Sequence, residues 1–101
     1  MATFVYDFEW DPAKAASNFV KHGVSFELAT DVFRDPLALT IPDEEHSVGE
    51  FRWITLRRDA RSHNILVVHT FEQPDESVAR IRIISARRPS RSEILEYEEQ
   101  R

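Results

Sequence analysis

Five arginines lie in or beside one stretch of this chain, residues 80–93, and no Asp or Glu interrupts them before Glu93. Arg80 and Arg82 share one face of the strand expected there, because side chains alternate along an extended backbone. A guanidinium group can bind phosphate through two parallel N–H donors, which a lysine ammonium cannot do. The stretch therefore permits a phosphate-binding site. Its five arginines are Arg80, Arg82, Arg87, Arg88 and Arg91.

The local sequence predicts a strand that leads directly into a helix. Ile81, Ile83 and Ile84 are β-branched and typical of strands, whereas Pro89 ends the strand because it has no N–H to donate. The residues after it fit an S-x-x-E capping box, which begins a helix. A helix N-terminus beside a strand end can hold phosphate through its outward N–H groups. The side chains expected to bind substrate at this junction are Ser85, Arg87 and Arg88.

The charge of the chain is unevenly distributed. The net charge is -5, but residues 1–50 carry ten acidic and three basic residues, whereas residues 51–91 carry four acidic and nine basic residues. The overall balance argues against a protein that coats nucleic acid, and the local excess of arginine permits a phosphate site. Taken alone, an arginine-rich strand is more often a solvated face than a binding site.

The composition is that of one small globular domain, residues 1–101. With 42% hydrophobic and 31% charged residues it resembles soluble proteins, and no apolar run approaches the ~20 residues of a membrane span. We expect a cytoplasmic protein, because the N-terminus lacks the features of a signal peptide. The absence of cysteine excludes thiol catalysis and cysteine-based zinc sites.

The histidines do not predict a metal site. No pair of them has the spacing of a helical H-E-x-x-H motif, so we expect neither a metal nor another cofactor. His69 lies within an apolar strand and is expected to be a core histidine whose ring nitrogens are hydrogen-bonded. His63 is expected to have no special role.

The remaining elements predict an α+β fold in the order β-α-α-β-β-β-β-α. The first helix begins at an Asp-Pro pair and ends at Gly23, and Ser25 begins a second helix. These helices are expected to form a tight hairpin. Short connections after Ile41 favour an antiparallel sheet with the helices on one face. Residues 72–77 are expected to be a polar hairpin loop.

Three groups of residues, in order and spread over almost the whole chain, resemble the BrnT family of toxins. The first group comprises Phe8-Glu-Trp-Asp-Pro-Ala-Lys, Asn18 and Lys21-His-Gly-Val-Ser-Phe. The second comprises Asp35-Pro-Leu, Asp43, His46-Ser, Glu50 and Arg52-Trp-Ile. The third comprises Arg82-Ile-Ile-Ser-Ala-Arg, Glu93 and Tyr97. So many motifs in the correct order make the resemblance specific.

The resemblance implies a ribonuclease toxin of a type II toxin–antitoxin system, with RNA as its substrate. It implies a RelE-like fold, in which a helical hairpin and a C-terminal helix pack on a small antiparallel sheet. It also implies a BrnA-like antitoxin as the protein partner. That antitoxin binds DNA, and its complex with the toxin is expected to bind its own promoter.

Metal-free cleavage of RNA requires a base for the 2′-hydroxyl proton, an acid for the leaving 5′ oxygen, and cations that stabilise the phosphorane. The resemblance favours catalytic roles for residues that could supply these groups, and we predict that they converge in one cleft. The predicted catalytic residues are Lys21, His22, Glu50, Arg52 and Arg82. The predicted RNA-binding residues are His46, Ser85, Arg87, Arg88 and Tyr97.

Each of these residues also has a purely structural interpretation. Lys21 and His22 fall in the last turn of a helix, where cations complement the helix dipole. His46 and Glu50 belong to an acidic loop that water can solvate. Tyr97 either packs against the sheet or stacks on a base, as aromatic residues do with single-stranded RNA. The alternative function is a non-catalytic module whose basic patch binds an acidic protein partner.

Overall fold

Six strands and three α-helices make up the computed structural model, which describes residues 4–58 and 63–100. The helices are α1 (Pro12–His22), α2 (Phe26–Thr30) and α3 (Arg91–Glu98), and two 3-10 helices span Asp31–Arg34 and Glu44–His46. The strands are β1 (Val5–Glu9), β2 (Leu39–Pro42), β3 (Trp53–Arg57), β4 (Ile65–His69), β5 (Glu72–Asp75) and β6 (Val78–Arg87).

The strands form one sheet in which β6 has the most partners. The order is β1-β6-β4-β3-β2, with β5 also paired to β6. The predicted α+β class is confirmed, but two details are wrong: β1 runs parallel to β6, and the loop expected at residues 72–77 contains β5. Both follow from the length of β6, because its ten residues extend past β4 and leave its first half free to pair with β1 and β5.

The two faces of the sheet are covered by different helices. On the hairpin face, α1, α2 and the first 3-10 helix pack against Ile81, Ile83 and neighbouring side chains of β4, and this forms the larger core. On the α3 face, Tyr97 of α3 packs against Leu56 and Leu66. The expectation that all helices share one face is therefore wrong for α3. Both faces are apolar, so the hydrophobic pattern does not tell which face a following helix will cover.

The helix ends lie where the local sequence predicts them. Asp11 caps α1 and Ser25 caps α2, each through a side-chain oxygen that accepts a backbone N–H. Gly23 ends α1 with φ at 71°, a left-handed conformation that glycine adopts without steric cost. Ser90 and Glu93 form the complete capping box at the start of α3. These signals depend on neighbouring residues alone, which is why the sequence predicts them well.

Asn18 of α1 fastens the helical hairpin to β6. Its side-chain nitrogen donates to the carbonyls of Val24 (3.1 Å) and Ala86 (2.8 Å), and its Oδ1 accepts the N–H of Ala86 (3.2 Å). Asn18 is only 8% exposed, and Ala86 is fully buried. The Asn18 amide thus takes the place that another strand would occupy beside β6, and it satisfies both backbone groups of Ala86.

We expect Asn18→Ala to lower the free energy of unfolding by about 1–3 kcal/mol, because it leaves buried polar groups without partners. Urea unfolding followed by circular dichroism measures the effect. The matched control is Ser17→Ala on the exposed side of the same helix, which should change stability by less than about 0.5 kcal/mol. Equal midpoints for the Asn18→Ala variant and the parent would contradict the anchoring role of this side chain.

Candidate active site

Two arginines, Arg52 directly before β3 and Arg82 of β6, meet at one carboxylate on the α3 face of the sheet. Nη2 of Arg82 donates to Oε1 and Oε2 of Glu50 at 2.5 and 2.6 Å, and Nη2 of Arg52 lies 3.4 Å from Oε1. All three side chains are between 30% and 41% exposed, so the cluster is accessible to a ligand. It carries one net positive charge and a fork of guanidinium donors, which suits a phosphate group.

The convergence follows from strand register. Trp53 pairs with His69, so Arg52 and Thr70 come next on their strands and share the opposite face. The N–H of Arg82 donates to the Thr70 hydroxyl at 3.2 Å, and the N–H of Thr70 donates to the Arg82 carbonyl at 3.0 Å. Arg52, Thr70 and Arg82 therefore form a row across three strands. Rigid strands position this row better than a loop could.

Glu50 is held in its ionised form. The hydrogen bond from Arg82, together with the charges of Arg82 and Arg52, lowers the pKa of the Glu50 carboxyl below its usual value. A carboxylate with a lowered pKa is a weak proton acceptor at neutral pH. The site therefore favours Glu50 as the residue that fixes the two guanidinium groups over Glu50 as the general base.

A histidine and a carboxylate form a hydrogen-bonded pair in the loop beside this cluster. Nδ1 of His46 lies 3.0 and 3.2 Å from the two carboxylate oxygens of Asp43. An ionised carboxylate only accepts hydrogen bonds, so Nδ1 carries the hydrogen and Nε2 is left to exchange protons. Asp43 is 6% exposed, whereas the His46 side chain is 63% exposed. The pair thus presents an oriented imidazole to solvent.

Ser47 joins this loop to the arginine cluster. Its hydroxyl donates to the Asp43 carbonyl at 2.6 Å and accepts the N–H of Arg52 at 2.9 Å. The N–H of Asp43 also donates to the carbonyl of Arg52 at 2.9 Å. The Asp43–His46 pair is therefore fixed next to Arg52. The sequence predicts no chemical role for Asp43 or Ser47, although both belong to the residues that resemble the BrnT family. The spacing of Asp43 and His46 over one helical turn is a further signal.

Arg87 is engaged in a salt bridge that holds α3. Its two terminal nitrogens donate to the two carboxylate oxygens of Glu93 at 2.8 and 2.7 Å. This hydrogen bonding lowers the pKa of Glu93 to about 2, although partial burial opposes the shift. The pair clamps the N-terminus of α3 to the end of β6. A phosphate at this junction would have to compete with Glu93 for Arg87.

The other predicted RNA-binding residues differ in accessibility. Tyr97 is 6% exposed and packs against the sheet, and burial is the main cause that raises its pKa to about 12. This placement supports the packing interpretation over base stacking. Ser85 is half-buried opposite Val68, on the α3 face. Arg88 is exposed, and it follows the end of β6.

The end of α1 lies far along β6 from the arginine cluster. Asn18 bonds to Ala86, and Gly23 lines a small cavity together with Arg88, just beyond β6. The helix packs on the hairpin face, whereas Arg82 alternates with buried isoleucines and points to the α3 face. Residues that end α1 are thus separated from Arg82 by the sheet.

The prediction of a single cleft for five catalytic residues is therefore wrong. The structure brings together Glu50, Arg52 and Arg82, and it holds Lys21 and His22 on the opposite face. The sequence could not reveal this, because the choice of face for a helix depends on packing across the whole sheet. A catalytic role for Lys21 and His22 stays a prediction.

The described residues show no other kind of site chemistry that would compete with this one. Within residues 4–58 and 63–100, no group of three or more His, Asp or Glu side chains could hold a metal ion. No helix in the same part of the chain is long and apolar enough to cross a membrane.

Fold and site together define a small α+β protein that presents two arginines and an oriented imidazole to solvent. Residues 10–93 match the family model described as the ribonuclease toxin, BrnT, of type II toxin–antitoxin systems, and the chain belongs to this family. Membership implies a protein antitoxin as partner. No curated protein matches the chain.

A solved structure supports the fold independently. The chain is similar to the Brucella abortus ribonuclease toxin BrnT, whose crystal structure was determined at 1.1 Å, with a TM-score of 0.61 and 24% sequence identity. The match covers 86% of this chain and 100% of that one. The family match over residues 10–93 confirms the resemblance to the BrnT family drawn from the sequence.

Proposed function

We propose that this protein is an endoribonuclease that cleaves RNA without a metal ion, through attack of the 2′-hydroxyl on the adjacent phosphate. The observation that carries the proposal is the convergence of Arg52 and Arg82 on one exposed carboxylate. The Glu50 carboxylate occupies a position that a phosphodiester group can take, since each presents a pair of anionic oxygens that accept hydrogen bonds from guanidinium.

The arginines supply the electrostatic part of catalysis. A phosphodiester carries one negative charge, and the phosphorane formed by 2′-hydroxyl attack carries more. Arg52 and Arg82 therefore interact more strongly with the transition state than with the bound substrate, which is the condition for a faster reaction. Before substrate arrives, Glu50 holds the two guanidinium groups together, and Thr70 fixes the backbone of Arg82.

His46 supplies proton transfer in this proposal. With its Nδ1–H fixed by Asp43, the imidazole can accept a proton at Nε2 and later return it. Because Ser47 ties the pair to Arg52, the imidazole stays next to the charge-stabilising group. Lys21 and His22 receive no part in this step, as they lie across the sheet.

We further propose that a BrnA-like antitoxin neutralises the enzyme in the cytoplasm by covering the arginine cluster. An acidic segment of the antitoxin would compete with RNA for Arg52 and Arg82, and exposed charges of opposite sign accelerate such docking. The antitoxin is proposed to bind DNA, and the complex to bind its own promoter. The membership in a type II toxin–antitoxin family supports this partner.

We expect purified protein to cleave single-stranded RNA at the same rate with and without excess EDTA, because arginine and histidine supply the charge and the proton transfer. Gel electrophoresis of a labelled RNA measures the rate. The Arg82→Ala protein, purified in parallel, controls for contaminating nucleases. Activity that disappears with EDTA and returns with Mg²⁺ would overturn the mechanism, and no cleavage in either condition would favour the non-catalytic module.

A further inference from the structure

A cavity of about 330 Å³ lies on the hairpin face, between the first 3-10 helix and the sheet. Its walls are mostly apolar, and cavities of this size and character are typical of small-ligand sites. Two of its side chains, Tyr6 and Phe71, are about 40% exposed, so the cavity opens to solvent. The aromatic residues in its walls are Tyr6, Phe33, Trp53 and Phe71.

A chain of hydrogen bonds along one wall determines which of its side chains can donate a hydrogen bond to a ligand and which can accept one. Nδ1 of His69 lies 2.9 Å from the Thr70 carbonyl, which only accepts, so Nδ1 carries the hydrogen. Burial lowers the pKa of His69 to about 4, and the neutral ring therefore accepts at Nε2 from the Thr55 hydroxyl, 2.7 Å away. Since the Thr55 proton is used, Thr40 donates to Thr55 at 2.8 Å. Thr40 is left with acceptor lone pairs.

Asp35 adds a second acceptor to the same cavity. Its Oδ1 accepts the N–H of Leu37 at 2.8 Å. Thr40 and Asp35 thus add acceptors, one of them charged, to a lining that also includes two possible donors, the Trp53 indole N–H and the Tyr6 hydroxyl. The negative charge of Asp35 also disfavours a phosphate inside the cavity, in contrast to the arginine cluster on the α3 face.

We propose that this cavity binds one unpaired base of the RNA substrate and prefers bases that carry an exocyclic amino group. Unpaired bases stack on aromatic side chains, and this cavity has four. The amino groups of guanine, adenine and cytosine donate hydrogen bonds, and guanine adds a ring N–H on the same edge, which together match a carboxylate. Uracil has only one ring N–H. The proposal deepens the proposed ribonuclease function and rests on it.

The cavity lies on the face of the sheet opposite the arginine cluster, so the base it binds belongs to a nucleotide beyond the one at the cleaved phosphate. Trp53 and Ile81 line the cavity, whereas their neighbours in sequence, Arg52 and Arg82, belong to the arginine cluster on the other face of the sheet. The two sites are therefore back to back across one sheet. Phe51 lies against Trp53, with ring centroids 5.0 Å apart and ring planes tilted by 52°. A single strand of RNA could pass around this end of the sheet.

Binding of free nucleosides tests the proposal without catalysis. Nucleosides carry no phosphate, so the arginines are not required. We titrate guanosine, adenosine, cytidine and uridine into ¹⁵N-labelled protein and follow NMR shifts of Trp53 and its neighbours. We expect guanosine to bind about tenfold more tightly than uridine, the equivalent of one or two additional hydrogen bonds. We expect Asp35→Asn to abolish this tenfold preference for guanosine over uridine. The matched control Asp31→Asn should retain it.

The controls separate this proposal from the proposed function. Arg82→Ala should bind guanosine like the parent, whatever happens to RNA cleavage, so nucleoside binding stands even if cleavage is absent. Equal affinity for all four nucleosides, no shift at Trp53, or shifts confined to the arginine cluster would overturn the proposal. N-acetyltryptophanamide serves as a further probe. If it binds more tightly than every nucleoside, the cavity takes a side chain of a protein partner instead of a base.

Discussion

Arg82→Ala is expected to lower the rate of RNA cleavage by about a hundredfold to a thousandfold, which corresponds to ~2.7–4 kcal/mol of lost transition-state stabilisation. The reason is that Glu50 holds the Arg82 guanidinium, on a backbone that Thr70 fixes, where charge develops on the phosphorane. Single-turnover cleavage of a defined RNA measures the effect. The melting temperature should change little, because ion pairs between exposed side chains contribute little to stability.

Two further variants make this result specific. Arg80→Ala removes a guanidinium from the same strand and the same face, where its weak pairing with Asp7 at 3.5 Å lies outside the cluster, and it should cleave at the rate of the parent. Arg82→Lys should restore only part of the activity, since an ammonium cannot form a planar fork. If Arg82→Ala folds normally and cleaves as fast as the parent, charge stabilisation must come from other arginines.

Acid should destabilise this protein in a pH range set by His69. Burial lowers the pKa of His69 from 6.5 to about 4, so the unfolded chain binds a proton more readily than the folded one. Stability is complete above pH 6.5 and falls as the pH drops towards 4, where about 3 kcal/mol is lost, at ~1.36 kcal/mol per unit of pKa. Urea unfolding at pH 7, 6, 5 and 4 measures the decline.

The matched variants separate His69 from the carboxylates. His69→Gln should flatten the decline between pH 6.5 and 4, even if it lowers stability at every pH, because the titrating group is gone. His63→Gln, at an exposed position, should keep the decline of the parent. Glu93, whose pKa is lowered to about 2, loses its contribution only in a more acidic range. A His69→Gln variant with the same pH dependence as the parent would contradict the assignment.

Local features of the fold could be predicted from the sequence, and features that depend on distant pairing could not. The caps at Asp11, Ser25 and Ser90 are encoded by a few neighbouring residues, and they are where the sequence predicts them. The expected burial of His69 with both ring nitrogens bonded is confirmed. In contrast, the polar residues of β5 resemble a loop, and they form a strand only because β6 offers a free edge.

The same distinction between local and distant contacts explains which parts of the candidate active site could be predicted. Alternation along β6 predicts that Arg82 points away from its neighbours in the larger core. It does not predict that Glu50 bridges Arg82 to Arg52. Asp43 resembles one more acidic loop residue in the sequence, and only tertiary structure shows it buried against His46. The catalytic and binding roles of the named residues stay predictions until the variants are measured.

The parallel pairing of β1 with β6 determines when the protein can fold during its translation. Val5 pairs with Val78 and Glu9 with Arg82, so the first strand to be synthesised must wait for the last. Such long-range pairing slows folding, and domains fold as their residues emerge at about 5–20 residues per second. The nascent chain therefore cannot assemble the Arg52–Thr70–Arg82 row until β6 has been translated, so the candidate site forms only at the end of synthesis.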